Sequence, residues 1–225
     1  MFPVGDDDVR GGSPGRVTIA LIVINVLVFF YEITLGQNGL ENFIYQFGAI
    51  PARIVQGEGL GTLLTSMFLH AGWLHLIGNM LFLWVFGDNI EAVMGEIPYL
   101  IFYLAGGLVA SATHILFNMD SDIPSVGASG AIAAVLGAYL VMFPQSRVKL
   151  LVLMGRAGIA RVTALIFLGL WIVQQIFSGI AGLGVPTAQT EGVAWWAHIG
   201  GFVFGVLVGF VYRNRARTSF ETTQV

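Results

Sequence analysis

The sequence predicts an all-α membrane protein, a bundle of six transmembrane helices. Composition is the first reason: 10% of the 225 residues are charged, 56% are hydrophobic and the mean hydropathy is +0.81. A soluble domain carries about 25% charged residues. Second, six mostly apolar windows come close to the roughly 20 residues that cross a hydrocarbon core. Third, the basic residues gather on alternate connections between those windows.

The spans are expected at residues 17–35, 69–86, 97–117, 127–143, 162–180 and 193–211, so that 1–16 and 213–225 are tails around a membrane domain of 17–212. The second and fourth windows are the least apolar. Asp6, Asp7 and Asp8 stand where a signal peptide would be positive, and no small-residue cleavage site follows, so the first window reads as a retained span. The connection 36–68 is long for a structureless loop and holds apolar pieces, which predicts short helices at the outer interface. Of the basic residues, Arg53 alone lies on the connections after spans one, three and five. Arg10, Arg16, Arg147, Lys149, Arg156, Arg161, Arg213, Arg215 and Arg217 lie on the other side. Cytoplasmic residues are enriched in Lys and Arg, so both termini are expected in the cytoplasm. The connection between spans two and three, with Asp88, Glu91 and Glu96, is acidic and breaks the pattern.

A net charge of −3 gives no basic footprint for nucleic acid. The absence of cysteine removes disulfides, thiolate metal sites and a cysteine nucleophile together. The histidines have no carboxylate companion at their depth, so no metal or cofactor is expected.

Polar groups inside a span are costly, which makes them functional candidates. Here they are His75 and Asn79 in span two, Ser129 in span four and His198 in span six. All three spans enter from the outside, and at 1.5 Å per residue Ser129 and His198 lie within about 10 Å of the outer boundary. His75 and Asn79 share a helix face. A serine beside a histidine is the minimal pair for acyl transfer: imidazole removes the hydroxyl proton and returns it to the leaving amine. Gly127 and Gly130 flank the serine and would let a substrate backbone approach. A helix N-terminus at Ser129 would direct free N–H groups at a developing oxyanion. No acidic residue accompanies His198, which predicts a dyad.

Each feature has a plainer reading. Gly-Ala-Ser-Gly also suits tight helix packing, and a membrane histidine often only ties helices together. The coincidence of serine and histidine at one depth favours chemistry. Small residues strengthen it: His198, Gly201, Gly205 and Gly209 line one face of span six, and Ser129, Ala133 and Gly137 one face of span four, which would bring the two spans close.

Together these residues resemble the rhomboid family over nearly the whole chain. His75-Leu76-Ile77-Gly78-Asn79 is similar to its His-x3-Asn element, and Glu91-Ala92-Val93-Met94-Gly95 to its Glu-x3-Gly. Gly127-Ala128-Ser129-Gly130 resembles its nucleophile motif and Ala197-His198-Ile199-Gly200-Gly201 its histidine span. The resemblance implies a six-span serine protease that cuts transmembrane segments of other membrane proteins near the outer face. It implies an outward-open wet cavity, gating by span five and the loop after it, and an oxyanion hole made of His75, Asn79 and the Ser129 N–H. Two positions depart from the family. Gly61-Thr62 stand where a Trp-Arg pair is frequent, and Ala133 where some members stack a tyrosine on the histidine. The expected partners are substrate transmembrane segments and the lipid bilayer, in the plasma (inner) membrane of a prokaryote. The alternatives are an inactive binder of such segments and a small transporter. Against transport, the inner halves of the even spans turn to Leu, Phe, Val and Gly.

Overall fold

The structure, a computed structural model, describes residues 2–6, 15–152, 158–183 and 194–221, with backbone alone for 217–221. Arg10, Arg156, Val193 and the loop after span five, to which gating was assigned, lie outside the described residues, as does the Arg217 side chain.

The helices are α1 (Arg16–Thr34), α2 (Gly36–Phe47), α3 (Pro51–Val55), α4 (Thr62–Thr65), α5 (Trp73–Met94), α6 (Glu96–Leu116), α7 (Ser129–Met142), α8 (Ala164–Ala181) and α9 (Trp195–Glu221). Among the described residues, α1, α5, α6, α8 and α9 are long and apolar enough to cross a membrane. The remaining window, the fourth, yields an apolar helix of 14 residues, α7. At 1.5 Å per residue it is about 21 Å long, short of the roughly 30 Å of a bilayer core. It lies at the centre. Gly130 to Tyr139 are all buried, as suits a helix that is apolar all round and enclosed by α5, α6, α8 and α9.

Connection 36–68 forms the short helices α2, α3 and α4 and a 3-10 turn, Ser66–Phe68. It is anchored to the segment before the serine. Ala49 and Ser125 exchange backbone hydrogen bonds of 3.0 and 2.8 Å, Ala52 N–H donates to Ser121 O, and Gly127 N–H donates to Ser66 O at 2.8 Å. Backbone pairing thus anchors this connection.

Three expectations change. Residues 87–94, read as a loop, continue α5 as far as Met94. Asn89 and Glu91 among them are buried and hydrogen-bonded. Glu91 accepts from the N–H of Val17 and Thr18 and from the Thr18 hydroxyl, at 2.8–2.9 Å, so it caps the first turn of α1 from a neighbouring helix. The break falls at Gly95, whose φ of +88° suits glycine. Second, the N-tail and the basic connection form a sheet of β1 (Phe2–Gly5), β2 (Arg147–Val152) and β3 (Gly158–Thr163), antiparallel in that order. Alternation places Val148 and Leu150 in the core. Asp6 follows β1 into the bundle, where its carboxylate accepts from Tyr139 and Asn89 and its carbonyl from Lys149 Nζ. Third, the last helix continues past the expected end of span six, through Arg213 and Arg215, to Glu221.

Candidate active site

Ser129 is the first residue of α7. Ala128 before it offers no side-chain cap, so the first N–H groups of α7 have no side-chain acceptor there. Gly127 turns the chain into the helix with φ +126°. A Cβ at Gly127 would meet the His75 ring at 2.8 Å, so glycine is required both by conformation and by space.

His198 lies in the first turn of α9. Its Nε2 is 2.8 Å from Ser129 Oγ, and its Nδ1 is 2.7 Å from Gln175 Oε1 on α8. The approach of α9 to α7 depends on missing side chains. A Cβ on Gly201 would strike the carbonyl oxygen of Gly130, one on Gly205 that of Ala134, and one on Gly137 that of Phe202. The stripe expected on span six is therefore in contact with α7. On α7 the contact row is Gly130, Ala134, Gly137 and Ala138, while Ala133 lines the cavity. The pitch of 3.6 residues per turn explains the offset. Gly130 and Gly201, expected to serve both substrate approach and close packing, are filled by protein: a Cβ on Gly130 would meet Ala110, and one on Gly201 also lies near Ala110.

Ser129, His198, His75 and Asn79 line one cavity of about 660 Å³. The remaining wall is mostly apolar, with Leu74, Phe82, Ile132 and Trp171 among its members. Asn79 Nδ2 donates to His70 Nε2 at 3.0 Å, which leaves its amide a second hydrogen. The His70 ring lies edge-on to that of His75, with centroids 5.1 Å apart. Glu32 of α1 is 1% exposed and accepts from the His70 backbone N–H at 3.2 and 3.3 Å. It fixes the backbone that carries His70.

Sequence reasoning missed Gln175. The signal was a pair of glutamines, Gln174 and Gln175, in an apolar span, but the search for a partner of His198 considered only acids. Trp171, one turn earlier on α8, stands with its ring centroid 5.7 Å from that of His198.

Comparisons with known proteins identify the family. The family model described as Rhomboid domain matches residues 58–215. The chain is 34% identical over 218 residues to Rhomboid protease GluP of Bacillus subtilis (strain 168), covering 90% of this chain and 41% of that protein. It is 30% identical over 236 residues to RHOMBOID-like protein 7 of Arabidopsis thaliana, covering 93% and 68%. Against Presenilin-associated rhomboid-like protein, mitochondrial, of Homo sapiens the identity is 28% over 205 residues, covering 86% and 48%. The chain thus spans less than half the length of the bacterial and human relatives. The matched region runs from the first connection to α9 and contains His75, Asn79, Ser129, Gln175 and His198. With its apolar helices gathered round that pair, the chain belongs to the rhomboid family of multi-pass membrane proteins.

Proposed function

We propose that the protein is an intramembrane serine endopeptidase in which Ser129 is the nucleophile and His198 its general base. One observation carries the reading: Ser129 Oγ stands 2.8 Å from His198 Nε2 in a cavity with a mostly apolar wall. That is hydrogen-bond reach for the proton the base must remove.

In this reading His198 Nε2 takes the hydroxyl proton as Ser129 Oγ attacks a scissile carbonyl. The tetrahedral oxyanion is met by the Ser129 N–H at the start of α7 and by the side chains of Asn79 and His75. His198 then protonates the leaving amine, an acyl-enzyme forms, and a water deprotonated by His198 releases it. The substrates are transmembrane segments of membrane proteins. A helix shields its carbonyls with its own hydrogen bonds, so the segment must unwind at the site, which small or helix-breaking residues ease. Six spans with cytoplasmic termini, in the plasma membrane of a prokaryote, place the site near the outer face.

The test is fluorophosphonate labelling of the detergent-purified protein beside Ser129→Ala, His198→Ala and Asn79→Ala. Wild type labels, the first two variants do not, and Asn79→Ala reacts on the order of a hundredfold more slowly. A folded wild type that stays unlabelled, in a site shown to admit the probe, rejects the protease in favour of a binder of transmembrane segments.

A further inference from the structure

Gln175 is 3% exposed in the middle of α8. A buried primary amide is costly unless it is hydrogen-bonded, and its oxygen lies 2.7 Å from His198 Nδ1. An amide oxygen only accepts, so Nδ1 must carry the ring hydrogen. Nε2 is then left with its lone pair toward Ser129 Oγ, 2.8 Å away. Among the described residues no carboxylate hydrogen-bonds the His198 ring. We infer that Gln175 is a positioning residue that sets the tautomer and orientation of the His198 imidazole. This rests on the serine-protease reading above.

Two further observations point the same way. Gln175 and Trp171 are one turn apart, so α8 contacts His198 twice, through an acceptor on Nδ1 and through an indole whose plane is inclined by 36° to the imidazole. The position on α7 where a tyrosine could have steadied the ring is Ala133, which lines the cavity. The contacts that α8 makes, from Gln175 on Nδ1 and from Trp171 on the ring, are thus available to orient the base. A neutral acceptor orients the ring without adding a negative charge to this apolar site, where an unpaired carboxylate would be costly. The other reading, that the glutamine only ties α8 to α9, predicts an effect on stability with none on the imidazole.

The test uses the full chain in detergent, as wild type, Gln175→Leu and Gln175→Glu. Nitrogen-15 spectra of the His198 imidazole report the tautomer, and fluorophosphonate concentration series separate the maximal labelling rate from the half-saturating concentration. Wild type is expected to show hydrogen on Nδ1. Gln175→Leu loses that preference and labels about ten- to a hundredfold more slowly, with half-saturation unchanged. Gln175→Glu keeps an oxygen on Nδ1 and restores most of the rate. Hydrogen on Nε2 in the wild type, or a folded Gln175→Leu with wild-type tautomer and rate, overturns the inference. If Gln175→Leu does not fold, the wild-type tautomer and the Gln175→Glu rate decide. A wild type that never labels removes the protease reading alone, since the spectra still report whether Gln175 holds the ring.

Discussion

At Ser129 the geometry is set by what its neighbours lack. Gly127 has no side chain because His75 occupies that space, and Gly201 has none because the carbonyl of Gly130 does. Gly78, on the cavity side of α5, differs, because nothing lies within 4 Å of where its Cβ would be. The two kinds of glycine should respond oppositely to alanine. Gly201→Ala forces α9 away from α7 and is expected to cost about 1–3 kcal/mol, and to slow labelling by separating His198 from Ser129. Gly78→Ala meets no atom and removes a flexible helix residue, so it should leave stability equal or raised by about 0.5–1 kcal/mol. Thermal unfolding in detergent, read with labelling rate, checks both. Equal losses at the two positions would reject the packing argument.

Among the elements, α5 links most of the structure. Its first turns carry His75 and Asn79 to the cavity, and its last turns carry Asn89 and Glu91 to the N-tail and to α1. Glu91 supplies the cap that α1 lacks locally, since Gly15 has no side chain to cap with. Glu91→Ala leaves buried donors of Val17 and Thr18 without an acceptor and should lower stability by about 1–3 kcal/mol. Glu91→Gln keeps one acceptor oxygen and should cost less. Unfolding midpoints of the two variants give the order. By contrast the ion pairs Arg16–Glu96 and Arg53–Glu58, at 3.4 and 3.8 Å, are solvent-exposed and contribute little.

For the molecule as a whole, the site depends on one short central helix held among longer ones. The N-terminus of α7 carries Ser129 to the cavity, and the Ala49–Ser125 pairing brings the first connection against the segment that leads to it. The proposed orientation places that connection outside and the end of α9 in the cytoplasm. The chain has no cysteine, so single replacements report cleanly. Glu58→Cys should react with a membrane-impermeant maleimide in intact cells, and Asn214→Cys only after permeabilisation. The reverse pattern would invert the topology and move Ser129 to the cytoplasmic side.

The sequence by itself determined the membrane class, the short helices of the first connection, and the serine, histidines and asparagine that share the cavity. Hydropathy and residue chemistry are local properties, and each can be read at its own position. The small residues of span six were legible for the same reason, since a glycine every fourth residue marks one helix face. Tertiary structure decided the rest. Asp88 and Glu91 read as loop residues because their charges are unfavourable in a span, yet Glu91 lies within a helix whose neighbour supplies the donors. The three-stranded sheet joins β1 to β2 across most of the chain, and a pairing that distant leaves only weak alternation in either segment. Gln175 was passed over because nothing in an apolar span says which way one amide points. Only the packing of α8 beside α9 places its oxygen against Nδ1 of His198.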